Sequence, residues 1–259
     1  MKSLALPVRT LSLKQSGCSA KRTMPTEIIS IPGIYEPVSS LSHLLGAVFF
    51  SAFSFFLLRR GRGNRLRVIG LAIFCSGTLL LLLTSGIYHS LGQYGDARAL
   101  MRILDHAAIF VLIACTFTPI HIIVFRGWGR WGVLLLIWSI AIVAITLKTL
   151  YFDQMPAYVN LSLYLGMGWI GVFPGISMWR RYGFQFMQSM LWGGVAYSLG
   201  ALLSSRDWPV LVPGIVQGHE VFHAAVLIGL GFHWAFIYRI STGRLPASSA
   251  ACPSHVRSG

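Results

Sequence analysis

The chain has 259 residues, 55% of them hydrophobic and only 11% charged, with a mean hydropathy of +0.68. That composition excludes an ordinary soluble globular domain. The net charge of +14 invites a nucleic-acid reading, but Lys and Arg lie mainly in short loops and tails. No basic soluble domain exists to carry such a role, so no nucleic-acid partner is expected.

In chain order, residues 1–30 read as a basic tail, with Lys2, Arg9, Lys14, Lys21 and Arg22 and no acid before position 27. An organellar transit segment has the same look; of the two, the disordered tail is favoured. Apolar runs follow near 41–58, 68–91, 103–125, 131–151, 158–179, 186–203 and 211–237. Crossing a hydrocarbon core of roughly 30 Å takes about 20 apolar residues, whereas barrel strands need about 9–11 of alternating polarity. The expectation is an all-α membrane protein with seven transmembrane helices filling 31–240. Clusters rich in Arg, Gly and Pro at 59–67, 93–102, 126–130, 153–156, 180–183 and 206–209 punctuate the runs and leave no room for a second domain. The Ala, Ser and Pro-rich end at 241–259 reads as a second disordered tail.

The cysteines Cys18, Cys75, Cys115 and Cys252 show no CxxC spacing, and Cys75 and Cys115 fall within helices as packing residues. Trp128, Trp131, Trp179 and Trp208 cluster at span ends, where interface belts belong. Alternating spans put Arg98, Arg102, Lys148 and Arg206 on the amino-terminal side. Arg59, Arg60, Arg62, Arg65, Arg67, Arg126, Arg130, Arg180, Arg181, Arg239 and Arg244 fall on the other. The positive-inside rule then points to an outside amino terminus. Membrane lipids are the expected surroundings and partners.

Only seven acidic residues occur in the whole chain. Asp105 and Glu220 sit inside runs that belong in lipid, where ionisable groups mark functional sites facing the bundle interior. Alternation also sets which groups can meet. His89 ends the second span, Asp105 opens the third, and His219 and His223 lie early in the seventh, so all four share one membrane depth. His43, opening the first span, lies on the same side. His219 and His223 are four apart, on one helix face, as are Ser85 and His89.

His-Glu-x-x-His on a helix is the zinc metalloprotease pattern, with Glu as general base. Here a soluble-type protease is disfavoured. Position 229, where the extended motif wants a third His, is Gly229, and no acid follows Glu220. His233 lies ten residues past His223, about 15 Å along a helix. The third ligand must therefore come from upstream, and His89 is the obvious candidate. Three neutral imidazoles leave a fourth tetrahedral position for water, the arrangement of a catalytic zinc, which lowers the pKa of that water to about 7. Asp105 can hold the water or orient a ligand, Ser85 can donate to a polarised carbonyl oxygen, and Glu220 can act as base or fix a neighbouring helix. His43 and His106 are candidates for contact behind the ligands. His121 and His233 read as interhelical hydrogen bonders.

These residues carry a resemblance. The chain resembles the hemolysin III-like membrane proteins, bacterial relatives of the adiponectin and progestin receptors. The likeness lies in 36–46 (EPVSSLSHLLG), 85–90 (SGIYHS), 104–119 (LDHAAIFVLIACTFTP), 192–200 (WGGVAYSLG) and 218–223 (GHEVFH). Together these segments cover roughly 30 to 240. The resemblance implies seven helices and a zinc held by His89, His219 and His223, with Asp105 acting through water and Ser85 beside the site. It also implies residence in a bacterial inner membrane. Receptor-branch relatives are linked to hydrolysis of ceramide-like lipid amides, while bacterial members carry the name hemolysin. Two departures stand out: the family usually has Asn where this chain has Ser39, and receptor-branch relatives place the amino terminus and zinc in the cytoplasm. The functional expectation is a zinc-dependent intramembrane hydrolase of lipid amides. The alternatives are a zinc-stabilised sensor without catalysis and a membrane-perturbing hemolysin.

Overall fold

A computed structural model describes residues 28–247. The tails expected at 1–30 and 241–259 lie outside the described residues, except for 28–30 and 241–247. Among the described residues eight helices follow one another: α1 (Pro37–Arg60), α2 (Arg65–Ser90), α3 (Asp96–Val124), α4 (Trp128–Leu150), α5 (Ala157–Trp169), α6 (Val172–Tyr182), α7 (Phe184–Ser204) and α8 (Gly218–Ile240). With α5 and α6 taken as one crossing, they make the seven expected passes. Six of these are long and apolar enough to span a membrane. The remaining pass, α7, has 21 residues. It is of spanning length at 1.5 Å per residue but is diluted by Gln185, Gln188 and its glycines.

Two boundaries differ from the apolar runs. The fifth run is broken at Ile170–Gly171 because Pro174 has no N–H to donate and its ring crowds the carbonyl four residues back, at Ile170. Gly166, Gly168 and Gly171 weaken the helix around the same point. The last helix starts at Gly218 and not near 211. Val212 and Val216 pair across a turn containing Pro213 and Gly214, whose φ of +77° a side chain would strain. A reciprocal capping box between Gln217 and Glu220 then starts α8.

The third helix is the axis of the bundle, with 72% of its apolar window buried. One core joins α1, α2, α3 and α8 around Leu57, Leu71, Phe74, Leu82 and Leu230. A second joins α3, α4 and α5 around Phe110, Ile137 and Ala141. Small residues set the closest approaches. Gly77 of α2 faces Cys115 of α3, and Gly200 of α7 faces Ala225 of α8, so added methyl groups would collide. Tight backbone packing of this kind drives association where lipid removes the hydrophobic force between helices. Large apolar side chains such as Val48, Phe55, Leu135 and Ile142 are left exposed on α1 and α4, as lipid-facing surfaces require.

Candidate metal centre

Histidines from α2 and α8 converge at the end of the bundle where α1, α3 and α8 begin. His89 Nε2 lies 3.4 Å from His219 Nε2, and His219 Nε2 lies 3.0 Å from His223 Nε2. One ligand atom from each ring falls within 4.8 Å of the others, as a metal ion requires. Tetrahedral coordination at 2.0–2.1 Å per nitrogen sets neighbouring nitrogens about 3.3–3.4 Å apart. The two measured separations bracket that spacing, so the residues fit a metal ion. His89 and His223 are 2% and 3% exposed. His219 is the open member, and its exposure is to the cavity that it lines.

The other nitrogens of two ligand rings are held from behind. His223 Nδ1 is 2.9 Å from His43 Nε2, and His43 is itself buried at the start of α1. With the proton on His223 Nδ1, the Nε2 lone pair faces the shared point. His89 Nδ1 meets the Glu36 carboxylate, whose other oxygen accepts from Arg98 Nη2 at 2.7 Å. A carboxylate only accepts, so His89 donates through Nδ1, and in the neutral ring Nε2 is then the lone pair. Burial raises the Glu36 carboxyl, but the His89 ring and the Arg98 guanidinium outweigh it and hold the group below the usual carboxylate range. Backbone bonds fix the arrangement: Glu36 N–H donates to His89 O at 2.9 Å and Tyr35 N–H to Ser90 O at 3.2 Å. Arg98 also donates to Leu91 O at 2.6 Å, with its guanidinium over the Tyr35 and Tyr88 rings.

Ser85 lies one turn before His89, buried beside Asp105 of α3. Both line the cavity. His43 stands behind His223, with its Nε2 2.9 Å from His223 Nδ1. His106 faces the cavity as well, but its Nδ1 donates to Arg102 O on its own helix at 2.7 Å and its ring meets the edge of Phe152. It stays outside the three-histidine cluster. Glu220 accepts from Gln217 N–H at 2.9 Å and from the Ser39 hydroxyl at 3.2 Å. Its oxygens therefore cap α8 and tie it to α1 through Ser39.

Glu36 and Arg98 were not singled out as site residues from the sequence. The signal available was the scarcity of acids: Glu36 is one of seven and directly precedes the first span. Its partner His89 is 53 residues away, and no periodicity reports a contact at that separation.

The cluster opens into a cavity of about 1690 Å³. Ser85, His89, Asp105, His219 and His223 line one end, and His121, Met187, Trp179, Phe184 and His233 the other. Asp105 and His121 are sixteen residues apart on α3, so the space runs roughly 24 Å along the bundle. Drug-sized pockets are about 300–1,000 Å³; this one is on the scale of a lipid.

Comparison with known proteins gives a consistent picture. The profile of the family described as haemolysin-III related matches residues 34–234. The chain is similar to Hemolysin-3 of Bacillus cereus, with 29% identity over 199 residues, covering 75% of this chain and 86% of that protein. It is also similar to the Hemolysin-3 homolog of Bacillus subtilis (strain 168), with 26% identity over 196 residues, covering 75% and 88%.

Proposed function

The chain belongs to the haemolysin-III related family of integral membrane proteins, and we propose that this member is a zinc-dependent intramembrane hydrolase of lipid amides. The observation that carries the reading is the lipid-sized cavity ending on three histidines, with Ser85 and Asp105 in its wall. Residence in a bacterial inner membrane is consistent with the apolar helices and the Bacillus relatives.

His89, His219 and His223 would hold the metal, since imidazoles in tetrahedral array suit zinc. Bound there, zinc would supply Lewis acidity that polarises a carbonyl oxygen and makes water acidic near neutral pH. The chain's own groups do the rest. Asp105 positions the attacking water, takes its proton on a carboxylate oxygen and hands it to the amide nitrogen as the C–N bond breaks and the amine leaves. The Ser85 hydroxyl donates to the carbonyl oxygen as negative charge builds on it. Glu36 and His43 keep two ligand rings in the tautomer that faces the metal. Glu220 holds the first turn of α8, and so the angle of His219 and His223. Apolar walls along α3, α5 and α7 take up the acyl chain and exclude water.

A second reading has its own observation. The triad joins α2 to α8, so a bound ion could staple the bundle in a sensor without catalysis. Metal content of the detergent-purified protein, beside a His219→Ala/His223→Ala variant, is the first test. About one zinc per chain, lost in the variant, followed by zinc-dependent cleavage within a panel of lipid amides, is the expected outcome. Zinc without cleavage would leave the staple; no metal in well-folded protein would remove both readings.

A further inference from the structure

Among the described residues the acids are confined to one end of the bundle, where Arg98, Arg102, Lys148 and Arg206 accompany them. All six acids among the described residues, Glu36, Asp96, Asp105, Asp153, Asp207 and Glu220, belong to the metal end. The opposite end is made by the α1–α2, α3–α4 and α6–α7 turns and the close of α8. It carries eleven arginines and, among the described residues, no acid.

These arginines divide into two kinds. Some close the fold: Arg67 donates to Gly61 O and Arg62 O at 2.9 and 2.8 Å, Arg130 to Phe125 O at 2.9 Å, and Arg239 to Gln185 O at 3.1 Å. Arg60 lies over the Tyr238 ring. Others have no such task. Arg59, Arg62, Arg65 and Arg126 are exposed, and their guanidinium groups meet no acceptor among the described residues. Arg59, Arg62 and Arg65 are like charges crowded into one turn and repel, and Arg126 adds to the positive charge of the same end; an outside anion relieves that repulsion.

The level of these groups identifies that anion. Trp128 is 88% exposed, and Trp131 and Trp179 are exposed at the same end. Amphipathic rings in that position mark the headgroup layer, so the free guanidinium forks stand level with phosphates, which they match in geometry. We propose that this end is a binding surface for anionic phospholipid headgroups, gripped through phosphate by Arg59, Arg62, Arg65 and Arg126. The surface lies at the far end of the molecule from the histidines and is independent of the hydrolase reading.

The test is thermal unfolding of the whole chain in neutral detergent, titrated with phosphatidylglycerol, phosphatidylcholine or inorganic phosphate at matched concentrations. Phosphatidylglycerol is expected to raise the midpoint by several degrees, less so at ~0.5 M salt; the other two should have little effect. An Arg59→Gln/Arg62→Gln/Arg126→Gln variant should unfold at the wild-type temperature without lipid, because those side chains close no internal contact. It should need about 100-fold more phosphatidylglycerol for the same shift, at roughly fivefold per arginine. Equal stabilisation by phosphatidylcholine would overturn the proposal. So would an unchanged response in the variant, or an equal response to inorganic phosphate, which would mean a site for free anions. The wild-type comparison of the two lipids decides the matter even if the variant folds poorly.

Discussion

Both ends of the long cavity carry buried histidines, yet the two sets are built on opposite principles. At the far end each ring is committed to a backbone carbonyl. His121 Nδ1 donates to Gly129 O at 2.8 Å, with the ring stacked between Phe117 and Phe125. His233 Nε2 donates to Met190 O at 3.3 Å, its ring at an angle to Tyr197. At the near end the rings of His89, His219 and His223 face one another, with centroids 4.6–4.9 Å apart. What holds them from behind is other side chains, Glu36 and His43. A ring bonded to a carbonyl tightens helix packing and leaves its second nitrogen idle: among the described residues, His121 Nε2 is buried with no hydrogen-bond partner. Rings fixed through Nδ1 leave Nε2 lone pairs aimed at one point. Residue type is the same at both ends; the direction of the free nitrogen differs.

That contrast can be broken in three places. The largest effect is expected from His89→Ala, which removes the only ligand contributed by α2. Metal content should fall from about one per chain to near none, with hydrolysis abolished; a fully active His89→Ala protein would sink the catalytic proposal. A smaller effect should follow Glu36→Gln, which keeps the shape of the side chain but replaces the carboxylate that orders His89. Metal affinity measured by chelator competition should drop about 10–100-fold, while the helical content stays as in wild type. The smallest is expected at the far end. His121→Phe should leave metal affinity unchanged and shift stability by about 1 kcal/mol through the lost bond to Gly129 O. If His121→Phe weakened metal binding as much as Glu36→Gln, the division between the two ends would be wrong.

Much of the fold could be read along the chain because membrane helices are local objects. Their length is imposed by the bilayer, and their backbone bonds close within each segment. The breaks were harder to read. Pro119 and Pro174 look alike in sequence, yet α3 runs through Pro119 while the fifth pass breaks at Ile170–Gly171, a turn ahead of Pro174. Pro119 sits in the densely packed centre of the bundle, against Gly70 of α2, so neighbouring helices hold its turn together. The region of Pro174 has Gly166, Gly168, Gly171 and Gly175 nearby and only 17% burial across its crossing, so packed neighbours do little to hold a continuous helix through it, and Ile170 O turns to Phe173 N–H at 3.3 Å. In the site, the pairing of His219 with His223 was legible from helix periodicity. The sharing of one depth by His89, Asp105 and the last helix was legible from alternation. The orientation of His106 was not, since a backbone carbonyl one turn back competes for its ring.

The sequence by itself determined the number of crossings, the end of the bundle at which the acids and most of the candidate ligands gather, and the face shared by His219 and His223. All three follow from local rules: segment length, strict alternation of direction and 3.6 residues per turn. Tertiary packing alone decided that His89 closes the triad to within 3.4 Å of His219, that Glu36 and Arg98 stand behind it, and that the space beside the histidines is a lipid-sized cavity. Those are contacts between residues far apart in the chain, and their positions depend on the angles at which helices pack. Helix angles are in turn set by many small steric fits, such as Gly77 on Cys115, which no periodicity along one segment encodes.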